Sequence, residues 1–218
     1  AVERRGGRVA VSAFKGKVLA VDSQKLSAEK FYDDFAPTYD TALFTPAIND
    51  KHLLEGVELF KKRVDESSGM TILDVGCGTG LFKEKLGWDA QLTGIDVSQR
   101  MLDLAAERGY SVLKGPAEEL LADIPDQSFD HVVSLSSLHF VEDFASVVEH
   151  MNRIAKKSVC VSIDQCLEDY RTQFKCVVYD HSRFDFQGAT DDYFIDGWTS
   201  PTTQIAMKTR MIFIPKTQ

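Results

Sequence analysis

Short apolar runs alternate with amphipathic stretches through most of this chain. From Ser27 the pattern is helical: a capping-type serine opens SAEKF, and Phe31 and Phe35 fall four apart on one face. Pro37 and Pro46 bracket an irregular stretch, FAPTYDTALFTP. A second helix follows, with Leu53, Leu54, Val57, Phe60 and Val64 on one face, and stops near Ser67-Ser68-Gly69. Met70–Val75, Ala90–Val97, Tyr110–Lys114, Asp130–Leu135 and Ser158–Asp164 then read as strands. Helical segments lie between them, at Leu81–Leu86, around Met101, Leu102 and Ala105, and at Phe144–Ile154. Strand and helix alternating at this spacing predicts βαβ units, a mostly parallel sheet and helices on both its faces. Past Asp164 the pattern weakens. Asp180–Trp198 is polar and aromatic, while Ile205–Pro215 alternates like a strand and is expected to close one edge of the sheet.

Composition narrows the picture. At 218 residues the chain can form one α/β domain with a substantial core. No apolar stretch approaches the ~18 residues needed to cross a bilayer, so no membrane span is expected. A net charge of −8 argues against nucleic acid as the main partner. The four cysteines show no metal-finger spacing; they read as reduced thiols of a cytoplasmic protein, with no metal site. Residues 1–26 differ, with six basic residues (Arg4, Arg5, Arg8, Lys15, Lys17, Lys25) against Glu3 and Asp22. This basic extension can be a short N-terminal appendage or the remnant of an organellar targeting segment.

The first strand breaks into LDVGCGTG, residues 73–80. In a doubly wound sheet such a loop stands at the carboxyl ends of the strands, where ligands bind. Its glycines, Gly76, Gly78 and Gly80, are spaced GxGxG and not GxGxxG, and no Lys-Ser/Thr pair follows them. Dinucleotide and P-loop readings are therefore disfavoured. The second strand ends GIDVS, placing Asp96 at its carboxyl tip. A carboxylate there can accept both hydroxyls of a ribose; it can also cap the next helix, as Ser98 can.

LDVGCGTG, then GIDVS, then MLDLA resembles a class I S-adenosylmethionine-dependent methyltransferase, in the broad group that includes ubiquinone- and menaquinone-biosynthesis enzymes. The resemblance runs from about Phe31 to Asp164. It implies a Rossmann-like, doubly wound, seven-stranded, mostly parallel sheet with an antiparallel edge strand and a helical N-terminal cap. The organisation expected is one domain over 27–218, with 27–66 as the cap and 165–204 as a variable substrate segment. S-adenosylmethionine is the implied cofactor. Gly76, Gly78 and Gly80 would admit its methionine portion and ribose, with Asp74 orienting the loop or the ammonium group. Asp96 and the adjacent Val97 would face the ribose, and Met101 the adenine. Ala117 and Glu118 would lie near the base, although Glu118 can equally be a solvated helix-start acid. Ser134 leaves the fourth strand at the methionine end.

The implied reaction is methyl transfer to a small-molecule acceptor, at an oxygen, nitrogen, carbon or sulfur atom. The alternative is a protein of the same fold that binds the cofactor without methylating, as a cyclase, rearrangement catalyst or regulatory binder. His139 is the candidate base, since its ordinary titration range lies near neutrality, and Asp164, at the end of the fifth strand, also points toward the expected site. Either His139 acts so, or it packs a helix start. Tyr32 and Tyr39 are candidate lid residues or core aromatics of the cap. His181, Arg183 and Tyr193 are candidates for contacting substrate from the polar segment. The oligomeric state is open. The fourth strand lacks an (N/D)PPY motif, which weighs against nucleobase amino groups as acceptors.

Overall fold

Ser27 starts the first helix by accepting a hydrogen bond from the Lys30 N–H at 3.2 Å. The computed structural model describes residues 25–43, 51–200 and 202–216, so most of the basic extension lies outside the described residues. In chain order the elements are α1 (Ala28–Phe35), α2 (Tyr39–Leu43), α3 (Lys51–Arg63), β1 (Thr71–Val75), α4 (Leu81–Leu86), β2 (Gln91–Asp96), α5 (Gln99–Glu107), β3 (Ser111–Lys114) and α6 (Ala117–Asp123). There follow β4 (Phe129–Leu135), α7 (Phe144–Ile154), β5 (Ala155–Asp164), α8 (Glu168–Gln173), β6 (Asp191–Thr199) and β7 (Ala206–Pro215). Single 3₁₀ turns cover Ala36–Thr38 and Leu138–Phe140.

The seven strands form one sheet of order β3-β2-β1-β4-β5-β7-β6. The first five are parallel, and β7 and β6 are antiparallel. Central strands covered on both faces must be apolar throughout. Ile72, Leu73, Val75, Val132, Val133, Val159 and Val161 are accordingly buried. One face packs against α3, α4 and α5 through Val57, Phe60, Phe82 and Leu102. The other packs against α6 and α7 through Leu121, Val147, Met151 and Ile154. The strand order reverses between β1 and β4. That switch point leaves a crevice at their carboxyl ends.

The hairpin at the sheet's end corrects one expectation. Ile205–Pro215 does not close the edge: β7 lies between β5 and β6, paired on both sides. The edge is β6, drawn from the polar and aromatic stretch that carries no clean strand pattern. An edge strand keeps its outer side in water, so Tyr193 and Phe194 stay 40% and 48% exposed. A bulge between Ile195 and Trp198 interrupts its period.

Of residues 27–66, α1 and α2 rise over the carboxyl ends of the strands, whereas α3 is a face helix of the sheet. The cap has its own apolar cluster, in which Phe31 meets Tyr170, Phe174 and Trp198. Leu26 pairs with Cys176 of this cluster in a parallel bridge, its N–H donating to the Lys175 carbonyl at 2.8 Å.

Candidate active site

The glycine loop folds back over β2. The N–H groups of Gly76 and Cys77 both donate to the Ile95 carbonyl, at 2.8 and 3.0 Å. Room for this comes from Gly94, whose Cβ, if it had one, would lie 2.5 Å from the Cys77 sulfur. Gly76 has φ +73, and a Cβ there would run into the Ser137 side chain at 2.2 Å. Gly78 has φ +52, and nothing stands within 4 Å of the position its Cβ would take.

Asp96 anchors the loop's open side. Its Oδ2 accepts from the Gly78 N–H at 3.0 Å and its Oδ1 from the Ser98 N–H at 2.9 Å. Burial raises its pKa, opposed by these backbone donors. Ser98, not Asp96, caps α5, accepting from the Met101 N–H at 3.2 Å. The Asp96 carboxylate is therefore left to face the crevice with its remaining lone pairs.

That crevice is a cleft of about 230 Å³. Gly76, Gly78, Asp96, Val97, Met101, Ala117 and Glu118 line it, and Tyr32, Tyr39 and Phe140 close it from above. Among the described residues its charged lining is acidic, Asp96 and Glu118, with no lysine or arginine. A phosphate would find no counter-charge here. A cationic nucleoside with a free ribose diol fits: an acidic group for the diol, an apolar slot for the base, and the open Gly78 for close approach.

Three sequence-predicted cofactor residues stand elsewhere. Asp74 turns away from the cleft and accepts the Tyr110 hydroxyl at 2.8 Å. Burial pushes it up to about 7, with the Tyr110 hydrogen bond opposing. Gly80 starts α4, where a Cβ would press on Tyr110 and the Ala105 backbone. The buried Ser134 donates to the Val75 carbonyl at 2.7 Å, so Ser136 and Ser137 take the cleft wall in its place. Ser136 holds a left-handed backbone, φ +54, unusual for a residue with a Cβ. Its N–H donates to the Ser162 hydroxyl at 2.9 Å, which fixes it there.

Behind Tyr32, Tyr39 and Ser136 lies a second, smaller chamber of about 60 Å³, sharing these three residues with the cleft. His139 and Asp164 both line it and are buried. His139 Nδ1 stands 3.7 Å from Asp164 Oδ2, too long for a hydrogen bond, and has no hydrogen-bond partner among the described residues. Burial pushes His139 down to about 3, so its expected titration near neutrality is corrected: it is a neutral imidazole. Burial pushes Asp164 up to about 6, opposed by hydrogen bonds from Thr209 (2.6 Å) and Ser136 (3.4 Å). Phe31 and Phe35 of α1 also line it, and His52, Tyr170, Phe174, Trp198, Ser200 and Thr202 complete the walls. None of these six was singled out from the sequence as a site residue, because they converge from three separate elements only in the fold.

His181, Arg183 and Tyr193 line neither cavity. His181 stacks on Phe144 at 4.2 Å and binds the Val141 carbonyl through Nε2 at 2.8 Å, supporting the turn that carries His139. Arg183 is exposed, and Tyr193 sits on the edge strand.

The comparisons with known proteins agree with this geometry. Residues 73–163 match the methyltransferase-domain family. Over that stretch the chain is similar to S-adenosylmethionine-dependent methyltransferases. A demethylmenaquinone methyltransferase of Listeria welshimeri is 26% identical over 160 residues, covering 66% of this chain and 65% of that protein. The chain thus spans about two thirds of that relative's length. An uncharacterized methyltransferase of Schizosaccharomyces pombe is 40% identical over 83 residues, 37% of this chain and 32% of that one. Among solved structures, a "SAM-dependent methyltransferase, possible histamine N-methyltransferase" from Thermotoga maritima has a TM-score of 0.62 at 21% identity. The likeness covers 87% of this chain and 99% of that one, a likeness of fold. No helix among the described residues is long and apolar enough to cross a membrane.

Proposed function

We propose that this protein binds S-adenosylmethionine across the carboxyl ends of β1, β2 and β4 and methylates a small molecule held in the adjoining chamber. The observation that carries this reading is the joined pair of cavities, an acid-lined nucleoside cleft and a buried aromatic chamber that share Tyr32, Tyr39 and Ser136. In this reading Asp96 takes the ribose hydroxyls, Val97, Met101 and Ala117 hold the base, and Gly76 and Gly78 let the chain approach the methionine portion. When bound, the cofactor supplies a methyl group already activated on a sulfonium. What the protein must add is alignment and exclusion of water. Tyr32 and Tyr39, packed edge to face at 6.1 Å, close the passage over the reacting centre. The Asp164 carboxylate takes the acceptor's proton, and the neutral His139 imidazole accepts a hydrogen bond from the acceptor.

The acceptor is not carried over from the quinone-named relative. Most chamber walls come from α1, α2, α3, α8 and the β6–β7 hairpin, outside the family match at 73–163. Equilibrium binding of S-adenosylmethionine, S-adenosylhomocysteine and NAD to wild type and Asp96→Ala tests the reading. Both sulfur compounds should bind. The variant should lose about tenfold to a hundredfold in affinity, the scale of a hydrogen bond to a charged group. Tight NAD binding would overturn it. Incubation with labelled methyl donor and cell extract then asks for turnover; cofactor binding without any labelled product would favour a non-methylating catalyst or regulatory binder.

A further inference from the structure

We infer that the acceptor is a small primary or secondary amine, entering as its ammonium ion and held on Asp164 within the aromatic chamber. This rests on the reading of the site given above and adds the class of substrate. Asp164 is 4% exposed, and its Oδ1 takes both hydroxyl donors, Thr209 and Ser136. Its Oδ2 accepts no hydrogen bond from the described residues and faces His139 Nδ1, a second buried polar atom without a partner among them. Among the described residues no lysine or arginine lines the chamber. The two histidines in its walls are held neutral by burial, so neither supplies a counter-charge. A buried carboxylate with no cation beside it carries a large desolvation cost that an incoming cation relieves.

The remaining walls suit the same guest. Tyr32, Phe35, Tyr170 and Trp198 line the chamber with the carboxylate, and aromatic faces attract ammonium groups that have lost their water. An ammonium nitrogen has hydrogens to donate to Asp164 Oδ2 and His139 Nδ1 together. A neutral alcohol can also hydrogen-bond Asp164 Oδ2, but it leaves the buried charge uncompensated. Chemistry follows from the same contact. The ammonium gives a proton to the Asp164 carboxylate; the freed nitrogen lone pair forms the N–CH3 bond as the S–CH3 bond breaks, its electron pair staying on sulfur. The products are the N-methylated ammonium and S-adenosylhomocysteine, and the Asp164 proton passes to solvent on release.

The test uses the full chain saturated with S-adenosylhomocysteine, titrated with propylamine and with its neutral isostere 1-propanol, followed by ligand-observed NMR. Propylamine should bind at least about tenfold more tightly than 1-propanol. In Asp164→Asn that preference should disappear while S-adenosylhomocysteine affinity stays within about threefold. A second readout, independent of any variant, supplies labelled S-adenosylmethionine with a panel of small amines and a matched panel of alcohols and phenols; label should enter the amines. Equal binding of the two isosteres, an amine preference that survives Asp164→Asn, or label entering only the hydroxyl panel overturns the amine assignment alone. Failure of S-adenosylhomocysteine to bind overturns it together with the cofactor reading beneath it.

Discussion

Asp33 in the cap accepts the hydroxyl hydrogen of Ser98 at 2.6 Å, and Ser98 is the residue that caps α5 beside Asp96. The same Oδ1 also accepts from the Arg100 N–H at 3.2 Å. The Ser98 hydrogen bond, with the Arg100 N–H and nearby cations, holds the Asp33 carboxyl below its ordinary range. A second tie repeats the arrangement seven residues on, from α2: Asp40 accepts from the Thr79 hydroxyl in the glycine loop at 2.6 Å and pairs with Arg108 at 2.5 Å. The cap is thus fastened to both segments that build the nucleoside cleft.

Asp33→Ala should loosen α1 without unfolding the sheet. Removing one charged acceptor at a partly exposed site costs roughly 1–2 kcal/mol. Hydrogen exchange should show faster opening confined to Ala28–Phe35 and the first turn of α5, with weaker S-adenosylhomocysteine binding. Uniform loss of protection across β1, β4 and β5 would instead make Asp33 a global stabiliser and refute the latch.

Gly76 and Gly78 both have positive φ, yet they should respond differently to alanine. Either substitution places a Cβ in the left-handed region, at about 1–2 kcal/mol. Gly76→Ala adds a collision with the Ser137 Cβ and Oγ, and Ser137 is itself held by its hydrogen bond to the Val75 carbonyl. The total should reach roughly 2–5 kcal/mol. At Gly78 the new methyl meets no protein atom, so stability should fall by the smaller amount while cofactor affinity falls sharply. Urea denaturation paired with cofactor titration separates the two. A Gly78→Ala protein with unimpaired binding would remove that glycine from the site.

Much of this was legible in the chain because it is local. The strand-loop-helix order, the Gly76–Gly78 turn and Asp96 at a strand tip are set by neighbours in sequence. What was not legible depends on distant pairing. β6 hides in DDYFIDGWT because an exposed edge with a bulge loses the period that marks a strand. FYDDFAPTYD drew attention to its tyrosines, yet its Asp33 and Asp40 make the ties, and nothing local says whom a carboxylate will meet. Asp74 misleads for the same reason: its partner, Tyr110, is 36 residues away. His139 sits where expected, but only burial by α1, α8 and β6 residues fixes its ionisation.

Asp164→Asn should raise stability, and only at higher pH. Burial holds the native carboxyl at about 6, against about 3.9 when unfolded. As pH rises from about 4, the unfolded state releases this proton first, so the wild type loses stability until both states are ionised above about pH 7. The loss amounts to roughly 3 kcal/mol. Asparagine can keep the Thr209 and Ser136 hydrogen bonds and does not titrate. The variant's advantage in urea denaturation should therefore grow by about that amount between about pH 4 and about pH 8, whereas parallel profiles would mean that Asp164 is well solvated or paired. Greater stability with lost function is the pattern expected where a strained charge serves a site.

Tyr110→Phe probes the other buried carboxyl. Asp74 sits at about 7 because burial outweighs the hydrogen bond from Tyr110, and the phenol is itself buried beside it. Above neutrality the bond serves an ion, and its loss should cost roughly 1.5–3 kcal/mol. Below about pH 5 the carboxyl is protonated in both proteins, and only a neutral hydrogen bond of about 1 kcal/mol is at stake. The destabilisation should therefore shrink as pH falls, seen as converging thermal unfolding curves. Because Asp74 turns away from the cleft, S-adenosylhomocysteine affinity should stay within about threefold at either pH. A large affinity loss with unchanged stability would return Asp74 to the cofactor site and contradict the orientation described.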